Sequence, residues 1–142
     1  MAQTRHRFFS RETDVRIEIE ASADAVWSVL IDGAAYPTWT STVRSIDGVI
    51  AAGQRIKLVS SLDPKRTFSL TVRECEAPRR LVWGDAMGRR TYELRPSGTG
   101  TTFTMHERIG GPLFPLFARM IPSFDESFDR FAQDLKRRAE SR

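Results

Sequence analysis

From Val43 to Ile109 the chain shows no helical period, and short strand-like runs alternate with turn chemistry roughly every dozen residues. The turns are Ala52-Gly53, Asp63-Pro64-Lys65, Ala77-Pro78-Arg79, Met87-Gly88 and Pro96-Ser97-Gly98. Each combines residues that fix φ or free it where a chain reverses. Connections this short cannot hold a crossover, so the runs predict about six strands, each antiparallel to its neighbour. Two alternate cleanly. Phe68, Leu70 and Val72 share a face against Ser69, Thr71 and Arg73, while Phe103, Met105, Glu107 and Ile109 share another. A meander therefore fills the middle of the chain.

The flanks read differently. Val15, Ile17 and Ile19 alternate with Arg16, Glu18 and Glu20, the period of a strand with one buried face. Ser22 is placed to cap a helix in which Ala25, Val26, Val29 and Leu30 recur at helical spacing, and Asp32-Gly33 ends it. Pro37 limits Tyr36-Pro37-Thr38-Trp39 to a short helical turn. Past Gly110-Gly111-Pro112, the residues Leu113 to Ile121 form a crowded apolar turn or two that Pro122 cuts. Ser123 and Glu126 have capping-box spacing, and Phe124, Phe128, Phe131 and Leu135 form the stripe of a helix that lies on something. The order is strand, helix, short helix, six-strand meander and long C-terminal helix. It predicts an α+β fold, an antiparallel sheet with its helices on one face. Residues 12–140 are expected to make a single domain behind a basic N-terminal tail, 1–11.

Charge and composition exclude several function classes. The excess of four basic residues (22 against 18) belongs to the ends. Residues 1–11 carry +3 and residues 135–142 another +3, which leaves −2 on residues 12–134. A nucleic-acid binder would carry a basic stripe on the folded body, so none is expected as a partner. No apolar run is long enough to span a membrane, and residues 1–10 lack the hydrophobic stretch of a secretion signal. One cysteine, Cys75, predicts neither a disulfide framework nor a cysteine-based zinc site. The expected compartment is the cytoplasm.

The element order carries a recognisable set of residues. Ile17-Glu18-Ile19-Glu20-Ala21 is followed by Val26-Trp27-Ser28-Val29-Leu30 with Asp32, then Tyr36-Pro37-Thr38-Trp39. Pro78-Arg79-Arg80-Leu81-Val82-Trp83 comes next, and Glu107 leads into Gly110-Gly111-Pro112-Leu113. Over residues 12–140 the chain resembles the SRPBCC or START-like superfamily, the helix-grip fold of polyketide cyclase/dehydrase and lipid-transport proteins. The resemblance implies a curved seven-stranded antiparallel sheet wrapped around a long C-terminal helix, with two short helices between strands 1 and 2. It also implies a cavity between sheet and helix that admits an apolar ligand. Ser22 stands where members often carry proline, and Pro122 interrupts the C-terminal helical stretch.

On that fold, Glu107 falls in phase with the inward apolar residues, where a carboxylate must find a donor or an arginine. It reads either as a general acid/base or ligand anchor, or as a strand-end residue bonded near Gly110-Gly111. Among the arginines, Arg90 is in phase with Tyr92 and Leu94 and has the best case for facing inward, whereas Arg73 faces out. Trp83, Tyr92, Phe103 and Met105 are candidates for the ligand wall from the sheet. Phe117, Met120, Phe124 and Phe128 are candidates from the C-terminal helical region. Tyr36 and Trp39 read as a gate over one end of the cavity, or as packing in the core. His106 is out of phase and reads as a solvent-facing strand residue. Cys75 stands between two acids, which argues against a nucleophile. No residue set implies a metal or a cofactor.

Three functions fit these residues. The first is binding of a small hydrophobic ligand (a lipid, polyketide or aromatic metabolite) by a monomer or homodimer. The second is a polyketide cyclase/aromatase/dehydrase-like enzyme in which Glu107 moves protons. The third is a co-chaperone-like interaction module, which requires a filled interior.

Overall fold

The computed structural model describes residues 1–141. Turn chemistry sets its strands: β1 (Gln3–His6), β2 (Ser10–Ile19), β3 (Val43–Asp47), β4 (Arg55–Ser60), β5 (Phe68–Glu76), β6 (Arg80–Gly84), β7 (Gly88–Ser97) and β8 (Gly100–Gly110). All eight lie in one antiparallel sheet ordered β1-β2-β8-β7-β6-β5-β4-β3. Sequence neighbours are therefore spatial neighbours, except that β2 takes its place beside β8. Gly98 adopts φ +60° in the tight β7–β8 hairpin, which sets the register Ser97 opposite Gly100 and, further along, Arg90 opposite Glu107.

The sheet has eight strands rather than the seven expected. The addition is β1, inside the segment read as a tail, and it pairs with β2 from Gln3↔Asp14 to His6↔Arg11. Gln-Thr-Arg-His has no apolar alternation, so the period-2 signal was silent there. Specific contacts hold it instead. The Thr4 hydroxyl bonds Thr13 and donates to Asp125, and the Ala2 N–H donates to Asp129. The two early helices consequently lie between β2 and β3.

Those helices are α1 (Ala23–Leu30) and the one-turn α2 (Tyr36–Trp39). Ser22 caps α1 as its position predicts, its hydroxyl accepting from Ala25 N–H at 3.1 Å. Val26, Trp27, Val29 and Leu30 form its buried face. After β8 come a one-turn helix, α3 (Phe114–Phe117), a 3₁₀ turn at Ala118–Met120, and α4 (Asp125–Glu140). Pro122 separates α4 from that helical stretch. The expected capping box does not form: Phe124 occupies the cap position, and the Ser123 hydroxyl accepts from Asp125 N–H at 3.3 Å. Asp125 and Glu126 still place negative charge at the helix N-terminus. Phe128, Phe131 and Leu135 form the buried stripe of α4. The far end of α4 is tied to the end of β2, where Lys136 donates to Glu18 O (2.9 Å) and Glu140 accepts from Glu20 N–H (2.7 Å). Among the described residues no helix is long and apolar enough to cross a membrane.

Candidate functional site

A cavity of about 520 Å³ lies between the sheet and the α3–α4 region. β7 and β8 supply Arg90, Met105, Glu107 and Ile109 to its wall, and β6 supplies Trp83. Phe117, Met120, Phe124 and Phe128 face it from the helical side. Eight of the twelve residues proposed from sequence therefore line one hollow. The opposite wall was missed: Val43, Leu58, Leu62, Phe68 and Leu70 come from β3, β4, β5 and the β4–β5 loop. The alternation of Phe68 and Leu70 had marked them as inward. Only the curl of the sheet, which period-2 patterning does not report, brings them across from β8.

The polar centre of the wall is an ion pair. Arg90 and Glu107 stand directly opposite each other on β7 and β8, and Arg90 Nε donates to Glu107 Oε1 at 2.8 Å. Both side chains are more than four-fifths buried. Burial is the largest influence on the Arg90 pKa and lowers it, but the Glu107 carboxylate and the Tyr92 phenol together more than offset it and hold the guanidinium above its ordinary value. The Arg90 guanidinium also lies 5.0 Å from the ring centre of Phe128. Phe128 stacks on Phe124, one helical turn earlier, and Arg11 covers Phe124 at 4.6 Å. A stacked phenylalanine pair is thus flanked by two arginines.

Arg11 belonged to the expected tail, yet it is 5% exposed. It continues inward the phase of Val15 and Thr13, a signal that a polar residue hides. Its guanidinium donates to the carbonyls of Ile121 (3.1 Å) and Pro122 (2.8 Å), both on the cavity wall. Burial lowers the Arg11 pKa, partly opposed by the charges of Glu107 and Asp125. At the break before α4 the Ile121 and Pro122 carbonyls are thus bonded by Arg11. Arg11→Met should cost about 2–3 kcal/mol in denaturant unfolding. It should also speed amide hydrogen exchange selectively across residues 112–123.

Four proposed residues lie elsewhere. Tyr36, Trp39, Tyr92 and Phe103 pack around Phe131, with ring centres 5.3–6.3 Å from it. Phe131 is thereby the floor of the cavity, and these rings fill the interior beneath it. Tyr36 and Trp39 are buried rather than set at a mouth, and the Tyr36 hydroxyl is spent on Leu30 O at 2.6 Å. Phase marks Tyr92 and Phe103 as inward, and position after α1 marks Tyr36 and Trp39, but inward rings fill a core as readily as they line a pocket.

Burial raises the Tyr36 phenol well above its ordinary pKa and pushes Tyr92 up to about 12, the latter against the opposing charge of Arg90. Native tyrosines that keep their protons while unfolded ones lose theirs make stability fall as pH rises above about 10. Each should contribute about a tenfold loss in folding constant per pH unit in that window. Tyr92→Phe should remove its share of the slope in alkaline unfolding curves.

Three further side chains weighed in the sequence lie outside the hollow. Arg73 is exposed, as its phase predicts. His106 lies on the outer face, as its phase predicts, with Nδ1 to Asp14 Oδ1 at 2.5 Å and Nε2 to Glu12 at 3.2 Å. The Cys75 thiol is raised from its ordinary pKa by burial rather than by the neighbouring acids.

Comparison with known proteins places this architecture. The chain superposes on a protein from Rhodobacter sphaeroides with a TM-score of 0.73 at 20% identity, covering 99% of each chain. It matches a START superfamily protein from Mycobacterium smegmatis with a TM-score of 0.66 at 17% identity, over 92% of this chain and 97% of that one. It matches the di-domain ARO/CYC protein BexL with a TM-score of 0.74 at 16% identity, over 96% of this chain and 52% of BexL. At these identities the likeness is one of fold. No curated protein matches the sequence. The family model described as polyketide cyclase / dehydrase and lipid transport matches residues 10–140, from the first residue of β2 to the last of α4. The chain belongs to that family.

Proposed function

We propose that this chain, through residues 12–140 and as a cytoplasmic monomer or homodimer, binds a small hydrophobic ligand in the hollow between sheet and α4. Lipids, polyketides and aromatic metabolites are the classes that fit. The carrying observation is the cavity, whose volume of about 520 Å³ suits a small molecule. Its wall is largely aromatic and aliphatic, and among its polar residues the buried pair of Arg90 beside Glu107 would hold a ligand carbonyl or hydroxyl. A hollow of this size weighs against the interaction module, which needs a filled interior.

The same pair favours one second reading, a cyclase/dehydrase-like enzyme. Glu107 would take a proton from the carbon between two ketone groups, and Arg90 would stabilise the enolate oxygen that forms. Glu107→Gln separates the two: an enzyme loses turnover and keeps affinity, whereas a carrier has no turnover to lose. Binding itself is tested by native mass spectrometry on protein purified without detergent. Wild type should carry an apolar compound at up to one per chain, and Leu70→Trp, which sets an indole into the hollow and narrows it, should carry much less. The same compound retained by Leu70→Trp at the wild-type level would place it outside the cavity and refute the reading.

A further inference from the structure

The edge of the molecule around the cavity mouth is apolar and basic at once. The β1–β2 hairpin ends on Phe8 and Phe9, whose rings meet edge to face at 4.7 Å. Phe9 O accepts from Gly111 N–H at 3.0 Å, which sets the hairpin tip against the end of β8. Gly110 permits this approach, since a Cβ there would lie 2.6 Å from Phe9 O. Gly110 N–H in turn donates to Met87 O at 2.9 Å, so the β6–β7 turn adjoins the same place. From Gly111 the chain runs into α3. Phe8, Phe9, Leu113, Leu116 and Met120 are each more than half exposed, an unusual grouping for a water-facing edge. Met87 and Met120 also line the cavity, so this rim and the hollow form one continuous apolar surface.

Charge selects the occupant. Residues 5–11 and 108–120 together contain five arginines and no acidic residue, and the adjoining β6–β7 turn adds one acid, Asp85, whose carboxylate accepts from Met87 and Gly88 N–H. Arg11 is buried in its carbonyl contacts, and Arg5, Arg7, Arg108 and Arg119 are exposed. Arg5 and Arg7 have only loose partners in Glu12 and Asp14, at 3.7–3.8 Å. Arg108 and Arg119 have no ion pair among the described residues. A second copy of the chain placed symmetrically on this rim would set arginines against arginines. An anionic lipid surface would neutralise them while its hydrocarbon receives the aromatic and aliphatic side chains. We propose that the rim formed by the β1–β2 hairpin tip and the α3 region docks on anionic lipid surfaces, opening the cavity toward the bilayer. The proposal rests on these surface residues and holds whichever ligand fills the cavity.

Flotation with vesicles tests it. Wild type should float with vesicles of phosphatidylglycerol and phosphatidylcholine, and lose that binding on phosphatidylcholine alone or at high salt. Phe8→Ser/Phe9→Ser should weaken vesicle binding at least about tenfold. Arg119→Gln should weaken it about fivefold. Both variants should keep the wild-type thermal midpoint, because the altered side chains are exposed. Equal flotation on neutral and anionic vesicles, or no effect of Phe8→Ser/Phe9→Ser, would overturn the proposal. So would a wild-type dimer that this double substitution dissociates, which would assign the rim to a second copy.

Discussion

Phe131→Ala is expected to destabilise the protein by about 3–5 kcal/mol, the loss typical of deleting a well-packed ring. Phe131 is 2% exposed and is the one ring in contact with Tyr36, Trp39, Tyr92 and Phe103 together. Close packing beneath the cavity floor leaves little room for those neighbours to collapse into the space. Phe117 supplies the control. It lines the hollow, is only partly buried, and meets one other ring, that of Phe114 at 5.9 Å. Phe117→Ala should cost about 1 kcal/mol or less. Chemical unfolding of both variants measures the difference. Equal losses would mean that the interior is not divided into a filled half and a hollow half.

The second large effect concerns the inner ion pair. Glu107→Gln strands the Arg90 charge in a mostly buried site, and an expected loss of about 3 kcal/mol follows. Arg90→Met strands Glu107 and should cost a similar amount. Replacing both at once, Arg90→Met with Glu107→Leu, removes the desolvation problem together with its remedy. That protein should be near wild-type stability or up to about 4 kcal/mol above it. A double-mutant cycle in urea reads this coupling directly. Simple additivity of the two single losses would show that the charges act independently. A stable double variant with weakened ligand binding would mean that the pair serves the ligand rather than the fold.

The Arg90–Glu107 pair is nearly legible in the sequence. Phase turns Glu107 and Arg90 inward, and Pro96-Ser97-Gly98 marks the turn between their strands. Counting back equally from Ser97 and Gly100 brings the two residues face to face. Alternation and turn chemistry were also sufficient for the meander, for α1 and for the inward direction of Phe68 and Leu70. Other features were invisible for physical reasons. β1 contains no apolar residue, and Arg11 is a charged residue in an inward phase. Whether aromatic rings fill a space or line it depends on volume, so Tyr36, Trp39, Tyr92 and Phe103 could not be told from Trp83 and Phe128. The break before α4 was marked by Pro122, but what holds it comes from the opposite end of the chain.

Fluorescence titration with anilinonaphthalene sulfonate, wild type against Leu70→Trp, tests the hollow interior most directly. Wild type should show saturable binding at one site per chain, its sulfonate within reach of Arg90. Leu70→Trp, folded with an unchanged thermal midpoint, should bind at least about tenfold more weakly because the indole occupies the probe's volume. Equal affinity in the two proteins would place the probe outside the cavity and contradict the account.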